Sequence, residues 1–263
     1  MNSPVEVAWK YAEAGVGKTS MPIGRMFLLG IFAGAFIALG AFGSTVASCG
    51  VPTPAVGRVL SALVFPIGLM MVIVAGAELF TGNCLLVVPV LQHKTTFNGM
   101  IKNLIVVYLG NFVGSVLIAL MVVYSHSSSL YDGALAKAMV GTAVAKIHLT
   151  PLDALLKGIL CNFMVCIAVW VSFAADDVAG KIAALYLPIF LFVLSGFEHC
   201  VANMYFIPAG IFASHEYGIA ADGLTWLSFI CDNLLPVTLG NIIGGSILAG
   251  MGYWLVYLRG KRD

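Results

Sequence analysis

Six long apolar stretches separated by short polar segments make up most of the chain: residues 26–48, 60–91, 104–124, 158–174, 182–214 and 234–258. A bilayer core about 30 Å thick takes about 20 helical residues to cross. The pattern therefore predicts an all-α membrane protein with six transmembrane helices and, six being even, both termini on one side. The second and fifth stretches are too long for single crossings. They cover 32 and 33 residues, which as straight helices would reach about 48–50 Å. Each also holds proline, glycine and an acid near its middle, so both are predicted to be broken helices.

Ahead of the first stretch, Ser3, Pro4 and Glu6 form a capping box with proline in the first turn. With Trp9 and Tyr11 following, they predict a short helix lying on the membrane surface. Thr150, Pro151 and Asp153 make a second cap leading into the fourth stretch. No cleavable signal peptide is expected, because the first apolar run starts at Met26 and continues for a full span. The expected layout is one transmembrane channel domain: a cytoplasmic surface helix and linker (1–25), a first repeat (26–125), an outer loop (126–157), a second repeat (158–258) and a cytoplasmic tail (259–263).

Those two repeats rest on matched residues. Phe65-Pro66-Ile67 precedes Gly76-Ala77-Glu78, Asn83 and Pro89; Leu187-Pro188-Ile189 precedes Gly196-Phe197-Glu198, Asn203 and Pro208. The shared element is Gly-x-Glu-x4-Asn. The stretch after each adds a second match, Leu109-Gly110-Asn111 with Gly114 and Leu239-Gly240-Asn241 with Gly244. Three spans per half is an odd number, so the halves run in opposite senses, as a 3+3 inverted repeat. Interrupted helices meeting near the midplane characterise transport proteins, since irregular backbone at that depth survives only inside protein or beside water. Half-helix N-termini present free amides with partial positive charge, which suits an anion.

Composition agrees. The 263 residues are 60% hydrophobic and 10% charged, with a mean hydropathy of +1.01, outside the range of soluble domains. A net charge of +1 from 13 scattered basic and 12 acidic residues gives no sign of a nucleic-acid partner. Cys49, Cys84, Cys161, Cys166, Cys200 and Cys231 lie mostly in apolar runs without metal-ligand spacing. They read as small hydrophobes, although Cys84 and Cys200 adjoin the polar motifs. No metal or cofactor is implied. With the N-terminus inside, Lys10, Lys18, Arg25, Lys94, Lys102, Lys181, Arg259, Lys261 and Arg262 are inner, against outer Arg58, Lys137, Lys146 and Lys157. This bias predicts cytoplasmic termini in a cell (inner) membrane protein.

Within the motifs, Gly110, Gly114, Gly240 and Gly244 read as close helix-packing positions. Asn111 and Asn241 suit either interhelical hydrogen bonding or support of a pore. A charge at the bilayer centre costs roughly 2.5–3.5 kcal/mol even on insertion scales. Glu78 and Glu198 are therefore expected to tie the broken backbone together by accepting its free amides. Thr81 is placed to cap the second half of its broken helix, and Asn203 to do the same in the other. His199 has no counterpart, because the matching residue is Leu79. Set in a helix break without a Ser/His/Asp or HExxH pattern, it reads as a pore histidine that donates a hydrogen bond or a proton.

These residues resemble the formate/nitrite transporter family, and most closely its hydrosulfide channel branch. The resemblance runs from Lys18 to the last span and is most specific at 76–83 (GAELFTGN), 196–210 (GFEHCVANMYFIPAG) and 239–246 (LGNIIGGS). It implies an aquaporin-like fold and a homopentamer with one pore per protomer. It further implies a central histidine at His199 and a loop threonine at Thr81. Apolar constrictions would fall at Phe65, Leu69, Leu79, Phe80, Val165 and Phe192. Vestibule lysines would be Lys18 inside and Lys146 outside, with Asn162 and Asn241 as further polar positions around the pore.

The expected function is a channel for a small inorganic or carboxylate weak-acid anion: hydrosulfide, formate or nitrite. The lysines would concentrate the anion at the mouths, and the apolar rings would oppose a bare charge. A proton-coupled secondary anion transporter and an aquaporin-like channel for neutral solutes are the alternatives. A membrane hydrolase using Glu198 and His199 has no nucleophile or metal-ligand spacing to support it, so no enzyme is expected.

Overall fold

Glycine decides how the helices cross. In the computed structural model, which describes residues 1–261, Ile23–Ser48 (α2) lies against Phe97–Tyr124 (α5) at glycines. A Cβ on Gly34 would collide with the Asn111 carbonyl, and one on Gly114 with that of Ile31. Pro151–Ser172 (α7) crosses Trp226–Tyr257 (α10) in the same way. There a Cβ on Gly240 would meet the Leu155 carbonyl and one on Gly244 that of Ile159. Gly114, Gly240 and Gly244, with Gly110 against the Phe27 carbonyl, are the small-residue positions read from the two repeats, and Gly34 is a further one.

Pro54–Ala75 (α3) and Phe80–Leu91 (α4) form the second stretch; Val178–Leu194 (α8) and Cys200–Tyr217 (α9) form the fifth. Both are broken at the Gly-x-Glu element. Pro188 lies inside α8 without breaking it, whereas α3 is interrupted for one residue at Phe65, just ahead of Pro66. Several helices start earlier than the apolar runs: α3 at Pro54, α5 at Phe97, α7 at Pro151, α10 at Trp226. Their polar first turns are capped by Thr96, Thr150 and Thr225 in the last three. Most of the segment read as an outer loop is helical, since Ala134–Ile147 (α6) fills its middle and carries Lys146 in the last turn.

The N-terminal helix, Pro4–Ser20 (α1), has the expected Ser3–Glu6 capping box. It does not rest on a membrane surface alone. Val7, Ala8, Tyr11, Ala12, Gly15 and Thr19 are buried, Tyr11 Oη donates to the Gly82 carbonyl at 3.3 Å, and the Tyr11 ring meets Trp170 and Phe173. Lys94 pairs with Glu13 and lies over the Trp9 ring, so α1 is docked on the helix bundle. Leu28, Phe32, Leu117, Met121, Leu187, Leu239 and Val256 face outward and exposed, as lipid contact requires. Arg262, counted among the inner charges, lies outside the described residues, as does the end of the tail.

Candidate functional site

Gly76 and Gly196 end the long halves of the broken helices with φ of 79° and 71°, a left-handed turn that glycine adopts without steric cost. Two residues on, the Glu78 amide donates to the Leu29 carbonyl (3.2 Å) and the Glu198 amide to that of Lys157 (3.3 Å). The short halves then start at Phe80 and Cys200. Their first amides donate to Asn111 Oδ1 and Asn241 Oδ1, both at 2.9 Å. The Asn111 amide group returns bonds to the Gly30 and Glu78 carbonyls at 2.8 and 3.0 Å; that of Asn241 reaches Gly158 and Glu198 at the same distances. The sequence repeat is thus a repeat of hydrogen bonds.

This geometry corrects two expectations. Thr81 and Asn203 cap nothing: Thr81 lies inside the first turn of α4, and Asn203 is four residues into α9 with its side chain turned back to Glu198. The caps come from neighbouring helices and, in α9, from His199 itself, whose Nδ1 accepts the Ala202 amide at 3.0 Å. Nor do Glu78 and Glu198 accept backbone amides. Glu78 takes Lys18 Nζ at 2.7 Å and Asn83 Nδ2 at 2.7 Å. Glu198 takes Lys146 Nζ at 2.9 Å on both oxygens and Asn203 Nδ2 at 2.7 Å. With side chains only 7% and 8% exposed, these carboxylates need a cation more than a neutral amide.

Two asparagines that sequence reasoning missed close each network. Asn103 accepts from Asn83 (2.8 Å) and donates to the Lys18 carbonyl (3.1 Å); Asn233 accepts from Asn203 (2.7 Å) and donates to the Lys146 carbonyl (2.9 Å). Each lies eight residues before the asparagine of the Leu-Gly-Asn element, a spacing that extending the repeat backward reveals. The halves also differ at the asparagine oxygen. Asn83 Oδ1 accepts from Lys18 Nζ at 3.1 Å, whereas Asn203 Oδ1 has no partner among the described residues.

Each Lys-Glu pair lines a cavity. The larger, about 580 Å³, has Arg58, Lys146, Lys157 and Glu198 in its wall with Phe65, Phe192 and His199. The smaller, about 230 Å³, is lined by Tyr11, Lys18, Lys181 and Glu78 with Leu69 and Leu79. The first touches Lys157 near the start of α7 and the second Ser172 at its end. Fifteen residues of one helix separate these positions, about 22 Å at helical rise, so the cavities lie toward opposite ends of the bundle.

Thr81, fully buried and in neither lining, places its hydroxyl 2.9 Å from His199 Nε2. The Phe192 ring stacks on His199, with Phe65 edge-on beyond it at 5.5 Å. Asn162 donates to the Thr81 carbonyl (3.2 Å) and the Asn241 carbonyl (2.7 Å), and Cys166 also reaches the Thr81 carbonyl. Of the residues read as constrictions, Phe65 and Phe192 lie on the larger cavity and Leu69 and Leu79 on the smaller. Phe80 packs edge-on against Tyr108 at 4.7 Å. It and the buried Val165 line neither cavity, and the same holds for Cys84 and Cys200.

Because Nδ1 accepts the Ala202 amide, the neutral ring carries its proton on Nε2. Nε2–H then donates to Thr81 Oγ1, which leaves the threonine's own proton without an acceptor among the described residues. No group of histidine, cysteine and carboxylate side chains suited to a metal occurs among the described residues.

Residues 5–255 match the family described as formate/nitrite transporter. The chain is 39% identical to the formate channel FocA of Escherichia coli (strain K12) over 269 residues, covering 97% of this chain and 94% of that one. It is 43% identical to the formate channel FocA of Haemophilus influenzae over 264 residues, covering 95% and 92%. A solved structure described as a pentameric formate channel with formate bound superposes with a TM-score of 0.80 at 35% identity, covering 90% of this chain and 98% of that one. With its helical architecture and these relatives, the chain is a membrane transport protein that belongs to the formate/nitrite transporter family.

Proposed function

We propose that the protein is a channel for small monovalent weak-acid anions, formate foremost, working as a homopentamer with one pore in each protomer. The relatives reported above are named for formate, and formate is a better-supported permeant than hydrosulfide or nitrite for that reason. The charge bias along the chain supports cytoplasmic termini, which makes the smaller cavity the inner mouth and the larger the outer one.

The observation that carries the reading is the Thr81–His199 pair, with a mouth on either side that holds a partly buried Lys-Glu pair. An anion entering the apolar gap loses hydration, and the hydroxyl proton of Thr81 is the donor available to it there. Proton transfer from His199 is a poorer fit. A doubly protonated ring has to give up the Ala202 amide bond at Nδ1, which uncaps α9. Hydrogen-bond donation by Thr81, oriented by His199, needs no such change.

Formate uptake by reconstituted His199→Asn and Thr81→Val variants tests this. Thr81→Val is expected to slow uptake at least about tenfold, the loss of one buried donor to a charge, while His199→Asn retains part of the rate with little change in its pH profile. Wild-type uptake in Thr81→Val overturns the donor role, and a pH profile abolished by His199→Asn restores proton transfer.

A further inference from the structure

The two mouths are built to one plan but carry different charge. At the smaller, Lys18 and Lys181 against Glu78 leave a formal +1; at the larger, Arg58, Lys146 and Lys157 against Glu198 leave +2. Lys18 and Lys146 are occupied by their carboxylates. The side chains of Arg58, Lys157 and Lys181 make no hydrogen bond or ion pair with the described residues.

Their placement follows the repeat. Arg58 lies near the start of α3, in the first half, and lines the cavity built on the second half's Lys-Glu pair; Lys181, near the start of α8, does the converse. Each half therefore lends a free cation to the other half's mouth. Lys157 has no twin. Its carbonyl receives the Glu198 amide as the Leu29 carbonyl receives that of Glu78, so the equivalent position in the first half is an apolar leucine that does not line the smaller cavity.

Arg58 and Lys157 also flank one turn. A Cβ built on Gly196 would lie 3.4 Å from Arg58 Nη1, and Lys157 holds the backbone of Glu198 two residues later. Resting on the reading of the protein as an anion channel, we infer that Arg58 and Lys157 form an anion-holding site in the larger mouth, ahead of the Phe65–Phe192 ring. It takes a small carboxylate or comparable monovalent anion, and it makes this face saturate at lower concentration than the other. Arg58 offers a planar fork that matches a carboxylate, and Lys157 offers a point charge.

The test pairs a binding readout with a flux readout. In purified protein, modification of Arg58 by phenylglyoxal is followed by mass spectrometry with and without formate. Formate is expected to slow it, more than it slows modification of Arg25, and to do so less in Lys157→Gln. In right-side-out and inside-out vesicles, Arg58→Gln and Lys157→Gln are each expected to raise half-saturation for formate at the larger mouth about five- to thirtyfold, the attraction of one charge at about 4 Å in a wet cavity. Because the pathway is passive, flux at low formate falls equally in both directions, and Arg58→Lys, which keeps the charge but loses the fork, falls between wild type and Arg58→Gln. In about 1 M inert salt the difference shrinks. No protection of Arg58 by formate, or unchanged half-saturation at the larger mouth in both glutamine variants, overturns the inference. Protection of Arg58 without any vesicle uptake upholds the site and overturns the channel reading.

Discussion

Removing the amide of Asn241 probes how the broken helix is held. Asn241→Ala deletes the acceptor of the Cys200 amide at 2.9 Å and the donor to the Gly158 and Glu198 carbonyls at 2.8 and 3.0 Å, all buried. The Cys200 amide opens a helix and has no intrahelical partner, and the Glu198 carbonyl belongs to the break itself. Two orphaned groups at about 1–3 kcal/mol each amount to roughly 2–6 kcal/mol, or a fall of about 4–24 °C in apparent melting temperature for a chain of this size. A thiol-reactive dye suits the measurement in detergent, because Cys84, Cys161, Cys166 and Cys200 are buried until unfolding. Asn111→Ala removes bonds of the same lengths in the other half, so its cost should fall within about 1 kcal/mol of the first. An unchanged melting temperature in either variant, or a large loss in only one, refutes the matched-cap reasoning.

Glu198→Ala strands Lys146 and Asn203 and is expected to cost about 3–5 kcal/mol, most of it recovered by adding Lys146→Met; a double-mutant cycle by denaturation in detergent measures this. Gly244→Val drives a side chain into the Ile159 carbonyl and should abolish recovery of folded protein, whereas Gly252→Ala, with open space around it, is expected to leave yield and stability intact. Lys10, bonded to it at 2.8 Å, and then Asn2 hold the Asp176 carboxyl below its usual 3.8. A depressed folded-state pKa contributes stability above the unfolded value that is lost only as pH falls through the folded one. Protease cleavage within α1 is therefore expected to be the same at about pH 5 and about pH 8 and to rise only below about pH 4; an onset inside that window contradicts the assignment.

Span positions and the two breaks were readable because hydropathy and the Gly-x-Glu-x4-Asn element are local signals. The start at Pro151 was readable from its Thr150–Asp153 cap, but those at Phe97 and Trp226 were not, since each lies about two turns ahead of the long apolar run. α6 was hidden because its 14 residues are too short to register as a span, and with it went the helical setting of Lys146. The caps were misassigned because their partners are remote: Asn111 is 31 residues from Phe80, and Asn241 is 41 from Cys200. A sequence offers nearby candidates such as Thr81 first. Docking of α1 depends on Tyr11 meeting Gly82 and Trp170, contacts that an amphipathic pattern cannot distinguish from contact with lipid.

The most direct test of the channel reading is flux of formate, nitrite, hydrosulfide and glycerol into liposomes holding the purified protein, each measured across pH. Formate is expected to enter faster than glycerol and to saturate without driving protons in fixed ratio. Failure of all three weak-acid anions, or glycerol flux without any anion flux, contradicts it.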